Sequence, residues 1–280
     1  MKVVRSVDEV RAELASRPAE VVGLVPTMGA LHGGHRSLLR AARRSVEAVV
    51  VSVFVNPLQF GPHEDFSAYP RVESADVATC EQEGADFLFA PSGAEMAMES
   101  GVTTVTVAGL SEVVEGAARP SHFQGVSTVV AKLLNIVRPD VLFLGQKDAQ
   151  QNAVIARLVA DLSYGTAITV CPTVRDPDGL ALSSRNAYLS SSQRADAAAL
   201  YRALVTGRGR IEAGAAPEEA EKAMQEVLAA QQGVEPDYAR AVDPHSFQAP
   251  LDEGPVLLVV AARVGGARLI DNLMAHPRRE

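Results

Sequence analysis

The chain has 280 residues, of which 47% are hydrophobic, so it is long enough to bury a large core in one or two domains. Its formal net charge is −8, with 34 acidic and 26 basic side chains, and it lacks the basic stripe expected of a nucleic-acid binder. The two cysteines are isolated in the sequence, which favours a cytoplasmic protein with buried thiols. We see no apolar signal segment and no apolar run near the roughly 20 residues of a membrane span, so no membrane partner is expected.

Apolar, β-rich runs alternate with helical patterns over the first part of the chain. The predicted strands are 21–26, 48–55, 86–90, 141–144 and 167–171, and the predicted helices are 34–45, 72–83, 127–137 and 149–161. The second strand, AVVVSVFV, is apolar at seven of its eight positions, as expected for a parallel strand that is covered on both faces. This alternation favours an α/β fold with a doubly wound parallel sheet.

The pattern changes after Pro172. Ala-rich amphipathic helices are predicted at 191–211 and 217–232, and two strands at 256–264 and 267–273 are joined by the Gly265–Gly266 turn. We therefore expect a smaller α+β domain over 173–280, after a first domain over 1–172.

A glycine-rich segment, PTMGALHGGH, follows the first predicted strand. Glycines at this place let the backbone approach a phosphate, and the next helix presents its N–H groups and the positive end of its dipole. His32 and His35 are three residues apart, so both imidazoles can face one side of the helix start and donate to phosphate oxygens. A plain turn and a two-histidine metal site are the alternatives, although zinc usually takes three or four protein ligands.

The segment FVNPLQFG ends the second predicted strand. Pro57 and Gly61 break the strand, so Asn56 and Gln59 are expected to project into the crevice at the carboxyl ends of the strands. Uncharged amides, which donate and accept, suit a substrate that carries hydroxyl groups beside a carboxylate. The alternative is that both amides only cap the loop.

Two further segments carry positive charge. In FLGQKDAQQ, Lys147 would be a point charge for phosphate, Asp148 could hold Mg²⁺, and Gln151 falls one helical turn beyond Lys147. In LSSRN, Ser183 and the planar guanidinium of Arg185 suit phosphate oxygens. A helix cap, a solvated lysine and a polar hinge are the alternatives.

Glu115 and Arg119 are weaker candidates for a functional site. The sequence around them, VEGAARPSHF, predicts a loop, and exposed loop charge is the expected state of both side chains.

The segments PTMGALHGGH, FVNPLQFG, FLGQKDAQQ and LSSRNAYLS stand in an order and spacing that resembles the pantothenate synthetase family. By motifs, the resemblance runs from about Val21 to Leu189, and the remaining length is compatible with that family's C-terminal domain. It implies a Rossmann-like nucleotidyltransferase fold with a C-terminal lid domain, and a homodimer. It also implies a reaction in which pantoate, β-alanine and ATP give pantothenate, AMP and pyrophosphate, with Mg²⁺ and a pantoyl-adenylate intermediate.

The resemblance further implies roles for the residues that match the family motifs. The implied catalytic residues are His32, His35, Lys147, Ser183 and Arg185. The implied ATP-binding residues are Pro26, Thr27, Met28, Gly29, His32, His35, Gly145, Lys147, Asp148, Val174, Leu182, Ser183, Ser184 and Arg185. The residues implied to bind pantoate or β-alanine are Met28, Asn56, Gln59 and Gln151, and the implied metal ligand is Asp148.

Three positions depart from the family pattern. Gly33 stands where Glu is frequent, and it is expected to face outward because it lies between the two histidines. Leu182 replaces a common Met, which is a conservative apolar exchange. Gln124 stands where Arg is often found and could remove a charge from the pocket or from the dimer contact, so it is not included in the predicted site.

Two other functions are compatible with parts of these patterns. A nucleotidylyltransferase of the same superfamily would act on a phosphorylated acceptor, and its pocket should be richer in Arg and Lys than in Gln. A nucleotide-binding protein without turnover should have lost charged positions, whereas His32, His35, Lys147 and Arg185 are all present.

Overall fold

The structure is a computed structural model that describes residues 1–62, 64–98, 100–251 and 254–277. By compactness the chain divides into two units, residues 1–145 with 154–172 and residues 146–153 with 173–280. The segment 146–153 groups with the second unit, so the two units are not the continuous ranges 1–172 and 173–280. The domain boundary predicted after Pro172 therefore stays a prediction. Among the described residues, no helix has the length and apolar character needed to cross a membrane.

The first unit contains a six-stranded sheet in which every neighbouring pair is parallel. The strands are β1 (Lys2–Val4), β2 (Val22–Thr27), β3 (Ala48–Val53), β4 (Phe87–Phe89), β5 (Val141–Gly145) and β6 (Ala167–Cys171). Their order across the sheet is β1-β4-β3-β2-β5-β6. The predicted doubly wound parallel sheet is confirmed, although β1 was not predicted because a three-residue strand leaves little pattern in the sequence.

Helices cover both faces of this sheet. They are α1 (Val7–Ala15), α2 (Gly33–Ser45), α3 (Glu73–Gln82), α4 (Glu115–Ala118), α5 (His122–Val137) and α6 (Ala149–Asp161). Successive strand residues point to opposite faces, so Val50 packs in one core cluster with α5 residues and Val51 packs in the other with α2 residues. Both cysteines, Cys80 and Cys171, are buried as free thiols.

The strand order reverses direction between β2 and β5. Along the chain, β2, β3 and β4 step one way across the sheet, whereas β5 and β6 step the other way. Doubly wound folds bind ligands outside the carboxyl ends of the strands at such a switch point. The carboxyl ends concerned are Thr27 of β2 and Gly145 of β5.

The second unit is built from three helices and a three-stranded antiparallel sheet in its described residues. These elements are α7 (Ser191–Ala197), α8 (Ala199–Glu212), α9 (Pro217–Ala229), β7 (Val234–Val242), β8 (Val256–Val264) and β9 (Ala267–Ala275). The predicted hairpin at Gly265–Gly266 is confirmed. The single helix predicted at 191–211 is wrong, because the chain divides at Ala198. The strand β7 was not predicted because Pro236 interrupts its pattern, and the pairing register shifts there.

Candidate active site

The segment after β2 turns sharply at Gly29. Thr27 Oγ1 donates to the backbone oxygen of Ser52 at 2.8 Å and accepts the Gly29 N–H at 3.1 Å, which starts the turn. Gly29 has a φ of +81°, and a Cβ there would lie 2.8 Å from Asp76 Oδ2. The left-handed backbone and the close carboxylate therefore both favour glycine at this position.

The buried carboxylate of Asp76, on α3, binds the backbone of the segment that follows Gly29. It accepts the backbone N–H groups of Ala30 at 3.0 Å and Leu31 at 2.8 Å. Burial raises the pKa of Asp76, although these two hydrogen bonds act in the opposite direction. Nothing in the local sequence indicates this role, because an acidic residue in the first turn of a helix is common for reasons of the helix dipole alone.

His32 and His35 lie together at the start of α2. His32 Nδ1 accepts the Gly34 N–H at 3.1 Å, and the His32 N–H donates to His35 Nδ1 at 3.2 Å. The two ring centroids are 4.1 Å apart. Since both Nδ1 atoms accept hydrogen bonds, each neutral ring carries its proton on Nε2, which is the atom that can then donate to an anion. Gly33 is exposed between them, as predicted.

Three residues predicted to bind the acid substrate also lie together in this unit. Gln59 Nε2 donates to Met28 Sδ at 2.8 Å, and Asn56 Nδ2 donates to Gln59 Oε1 at 3.1 Å. Asn56 is only 1% exposed, and its Oδ1 accepts the Leu58 N–H. Direct contact between Asn56 and a substrate therefore stays a prediction, whereas the observed role of Asn56 is to orient Gln59.

A close approach between α5 and the residues around Gln59 fixes the position of the turn that carries Gln59. A Cβ at Gly125 would lie 2.2 Å from the backbone oxygen of Leu58, so only glycine lets the helix and the 57–59 turn pack this closely. Asn56 Nδ2 also donates to the Gly125 oxygen at 3.0 Å. The prediction that α5 begins at Ser127 was wrong, because a glycine that normally weakens a helix is here required by packing.

Behind Gln59 lies a compact charge cluster of Glu64, Glu115, Arg119 and His122. Arg119 Nε donates to Glu64 Oε1 at 2.6 Å, and Arg119 Nη1 lies 3.6 Å from Glu115 Oε1. The side chains of Arg119 and Glu115 are 14% and 6% exposed. The prediction that both are exposed loop charges is therefore wrong, because each offsets the burial of the other.

His122 connects this charge cluster to Gln59. The backbone oxygen of Gln59 can only accept, so His122 Nδ1 must be the protonated nitrogen that donates to it at 2.9 Å. Arg119 can only donate, so its Nη1 donates to His122 Nε2 at 3.2 Å. Arg119 Nη2 also donates to the Gln59 oxygen at 3.1 Å. Burial, with a smaller contribution from Arg119, lowers the pKa of His122 to about 4.

The lowered pKa of His122 predicts that acid destabilises the fold through this residue. The unfolded chain binds a proton at His122 below pH 6.5 and the folded chain does so only below about pH 4, so stability falls as the pH falls through this window. The expected loss attributable to His122 reaches about 3 kcal/mol near pH 4, since one pKa unit corresponds to about 1.4 kcal/mol. Urea unfolding of the wild type and His122→Gln, each at pH 7 and pH 4, measures this contribution.

Only the difference between the two proteins isolates His122, because other groups titrate in the same window. Burial raises the pKa of Asp76 and Asp271, which opposes the effect of His122, whereas Glu64 has a lowered pKa and acts in the same direction. An equal change in unfolding free energy between pH 7 and pH 4 in both proteins would contradict the prediction.

Lys147 and Asp148 lie in a short 3₁₀ turn, Gln146–Asp148, that precedes α6. Lys147 Nζ is 3.7 Å from Asp148 Oδ1, and the side chains are 21% and 45% exposed. Gln151 follows on the first turn of α6. Among the residues that the structure describes, no three His, Cys, Asp or Glu side chains form a metal-binding group. A half-exposed carboxylate of this kind fits Mg²⁺ that is also held by phosphate oxygens, because Mg²⁺ usually takes one or two carboxylates together with phosphates.

The predicted ATP-binding residues Val174 and Leu182 face each other across a turn in the second unit. The Leu182 N–H donates to the Val174 oxygen at 3.0 Å. Ser183 follows directly, and its Oγ accepts the Arg185 N–H at 3.3 Å, which starts the 3₁₀ turn Ser184–Tyr188. Backbone and side-chain hydrogen bonds therefore fix the predicted ATP-binding residues of the 174–185 segment relative to one another.

Comparison with known proteins identifies the family. A family model described as pantoate-beta-alanine ligase matches residues 2–274. The chain is 50% identical to the pantothenate synthetase of Acidothermus cellulolyticus, with 97% of this chain and 90% of that protein covered. It is also 50% identical to a bifunctional pantoate ligase/cytidylate kinase of Gloeobacter violaceus. That match covers 100% of this chain and 56% of that protein.

Solved structures give the same result. The pantothenate synthetase of Thermus thermophilus superposes with a TM-score of 0.94 at 47% identity, covering 99% of this chain and 100% of that one. The pantoate-beta-alanine ligase of Francisella tularensis, solved in complex with beta-gamma ATP and beta-alanine, superposes with a TM-score of 0.81 at 33% identity, covering 98% and 97%. The chain therefore belongs to the pantoate–β-alanine ligase family.

Proposed function

We propose that this chain is an AMP-forming ligase that condenses pantoate with β-alanine through a pantoyl-adenylate intermediate. The observation that supports this most directly is the contact of Gln59 with Met28, on the same segment that carries His32 and His35. An uncharged amide site for a hydroxy acid thereby adjoins a helix start suited to phosphate. Binding of beta-gamma ATP and beta-alanine by the Francisella tularensis relative supports the same substrates here.

In the first step, a pantoate carboxylate oxygen attacks the α-phosphorus of ATP and the bond to the β-phosphate oxygen breaks. The carboxyl group, with a pKa near ~4, is already ionised at neutral pH, so this step needs no general base. It does need placement of the two reactants and stabilisation of the charge on the departing pyrophosphate. We assign placement to Gln59 and Gln151.

Stabilisation of the departing pyrophosphate is assigned to cationic and N–H donors. Neutral imidazoles with their protons on Nε2, as the contacts of both Nδ1 atoms require, donate hydrogen bonds from His32 and His35. Lys147 supplies a point charge and Arg185 a planar fork of donors. The remaining nucleotide-binding roles are assigned to the matching residues of the 26–35, 145–148 and 174–185 segments.

In the second step, the amine of β-alanine attacks the acyl carbon of the adenylate. A carbon–nitrogen bond forms, the bond from the acyl carbon to the AMP oxygen breaks, and the proton that the amine loses passes to water or to the phosphate of the adenylate. The products are pantothenate and AMP.

Magnesium, a homodimer and a cytoplasmic location are part of the same proposal. Mg²⁺ bound through Asp148 and the nucleotide would neutralise phosphate charge. The homodimer is inferred from the family resemblance. The two buried, free cysteines agree with a reducing compartment.

Product analysis tests the proposal. The purified chain is incubated with ATP and Mg²⁺, and AMP, pyrophosphate and pantothenate are quantified with pantoate, with β-alanine, with both or with neither. We expect sustained release of AMP and pantothenate in a 1:1 ratio only when both substrates are present. Pyrophosphate release with a phosphorylated acceptor and no amine would instead support the nucleotidylyltransferase alternative, and no turnover with any acceptor would support a binding protein.

A further inference from the structure

Two adjacent residues of β9, Asp271 and Asn272, contact two separate segments of the second unit that are assigned to ATP. Asn272, which is buried, donates from Nδ2 to the backbone oxygens of Gln146 at 2.9 Å and Lys147 at 2.8 Å. Its Oδ1 accepts from Gln146 Nε2 at 3.1 Å. One amide side chain therefore holds two of the three carbonyls of the turn that carries Lys147 and Asp148.

Asp271 makes an equivalent contact with the other segment. Its carboxylate accepts from both Nη atoms of Arg175, the residue directly after Val174, and the Nη2–Oδ1 distance is 2.9 Å. Arg175 also donates to the backbone oxygens of Gly179 at 3.1 Å and Asn272 at 3.2 Å. The guanidinium lies 4.4 Å from the ring centroid of Tyr201. The turn between Val174 and Leu182 is thereby tied to β9.

Strand geometry explains how one dipeptide reaches both segments. Neighbouring side chains of a β-strand leave on opposite faces, so Asp271 and Asn272 are directed to different sides of the sheet. Asp271 shares its face with Leu269 and Leu273, which pack in the core cluster of this unit. Asn272 leaves on the other face, toward the 146–148 turn. The backbone N–H of Asn272 donates to Asp271 Oδ1 at 2.8 Å, which couples the two residues directly.

We infer that Asp271 and Asn272 are positioning residues that fix the 146–148 turn and the 174–182 turn in the arrangement that ATP requires. This inference rests on the proposed function, since it takes the ATP-binding roles of Lys147, Val174 and Leu182 from it. Stability alone does not account for the Arg175–Asp271 pair, because a buried ion pair often contributes little compared with apolar residues of the same volume. Placement of two nucleotide-binding segments does account for it.

Asn272→Leu tests the inference, because leucine has a similar volume but no donor for the two carbonyls. We expect the KM for ATP in pantoate-dependent ATP–pyrophosphate exchange to rise, or the exchange rate to fall, on the order of 10- to 100-fold, as for other displacements of about 1 Å near a reacting group. The dissociation constant of pantoate in the absence of ATP should stay unchanged. Asn272→Ser, which keeps a shorter donor, should lie between leucine and the wild type.

Arg268→Met is the matched control on the same strand. Arg268 donates to Asp237 at 2.8 Å, and its side chain is 16% exposed, so the substitution removes a contact that β9 makes with β7. It is expected to lower the melting temperature at most and to leave the KM for ATP unchanged. If Asn272 served only the stability of the sheet, both variants would change the melting temperature, and exchange per folded molecule would stay normal in both.

A double-mutant cycle with Lys147→Ala shows whether Asn272 acts through Lys147. If it does, Asn272→Leu has little further effect on exchange once Lys147 is removed, whereas independent effects would multiply. Normal ATP kinetics in folded Asn272→Leu and Asn272→Ser, or fully multiplicative effects, would overturn the inference. Absence of pantoate-dependent exchange in the wild type would instead contradict the proposed function, so the two failures are distinguishable.

Discussion

Lys147→Ala is expected to slow pantoate-dependent ATP–pyrophosphate exchange by about 10²- to 10³-fold, which is the usual effect of removing one group that stabilises charge in a transition state. The Lys147 side chain is only 21% exposed, so its charge is less screened than that of a surface lysine. His35→Ala is expected to have an effect of the same order. Initial rates of labelled pyrophosphate incorporation into ATP, at saturating pantoate, measure both.

The substitutions of His35 can separate its two ring nitrogens. Nδ1 accepts the His32 N–H, so it is Nε2 that donates to phosphate in the proposed mechanism. Glutamine places an amide nitrogen near the position of Nε2, whereas the shorter asparagine reaches only the position of Nδ1. We therefore expect more residual exchange in His35→Gln than in His35→Asn.

Lys222→Ala is the control for a general effect of lost positive charge. Lys222 is exposed on α9, and its removal changes the net charge by the same amount as Lys147→Ala. We expect exchange close to that of the wild type. Near-normal exchange in folded Lys147→Ala, or an equal loss in Lys222→Ala, would remove Lys147 from the mechanism.

Arg119→Met is expected to lower the free energy of unfolding by about 3–5 kcal/mol, because it removes the cation of a buried ion pair with Glu115. Glu115 and Glu64 both lose their contact with the guanidinium, and the Gln59 oxygen loses a donor. The KM for pantoate should rise as well, since Gln59 is held through this oxygen. Urea unfolding gives the first quantity, and exchange kinetics at varied pantoate give the second.

Two further variants show whether the loss comes from buried charge. Arg157→Ala removes the arginine of an exposed ion pair with Asp161, and its expected effect on the free energy of unfolding is about 0.5 kcal/mol or less. Combining Arg119→Met with Glu64→Gln and Glu115→Gln should recover part of the lost stability, because the two side chains that lost their contact with the guanidinium are then uncharged. A loss in Arg119→Met no larger than that in Arg157→Ala would show that the cluster does not behave as buried charge.

The parallel sheet could be predicted because its strands carry their own signal. A strand covered on both faces is apolar at nearly every position, and Ala48–Val53 is apolar at all positions but Ser52, without reference to any other segment. The position of the histidine segment at the carboxyl end of a strand could also be predicted, since a glycine-rich turn after a strand and before a helix is a local pattern. These features depend on neighbours within about ten residues of the chain.

The supporting contacts of the site could not be predicted, because they join distant parts of the chain. Asp76 meets Leu31 across 45 positions, and Asn272 meets Lys147 across 125. The sequence neighbours of Arg119 indicate an exposed loop charge, and only the fold shows that it contacts Glu64. In each case the polar side chain has ordinary sequence neighbours, and only the fold supplies the partner that gives it a role.

The fate of the carboxylate oxygens of pantoate tests the central claim of an acyl-adenylate most directly. If pantoate labelled with ¹⁸O in both carboxylate oxygens is converted with ATP and β-alanine, one labelled oxygen becomes bonded to the α-phosphorus and leaves with AMP. Mass spectrometry is then expected to find one ¹⁸O atom in AMP and one in the amide of pantothenate. Unlabelled AMP, with ¹⁸O in pyrophosphate or inorganic phosphate instead, would contradict this account.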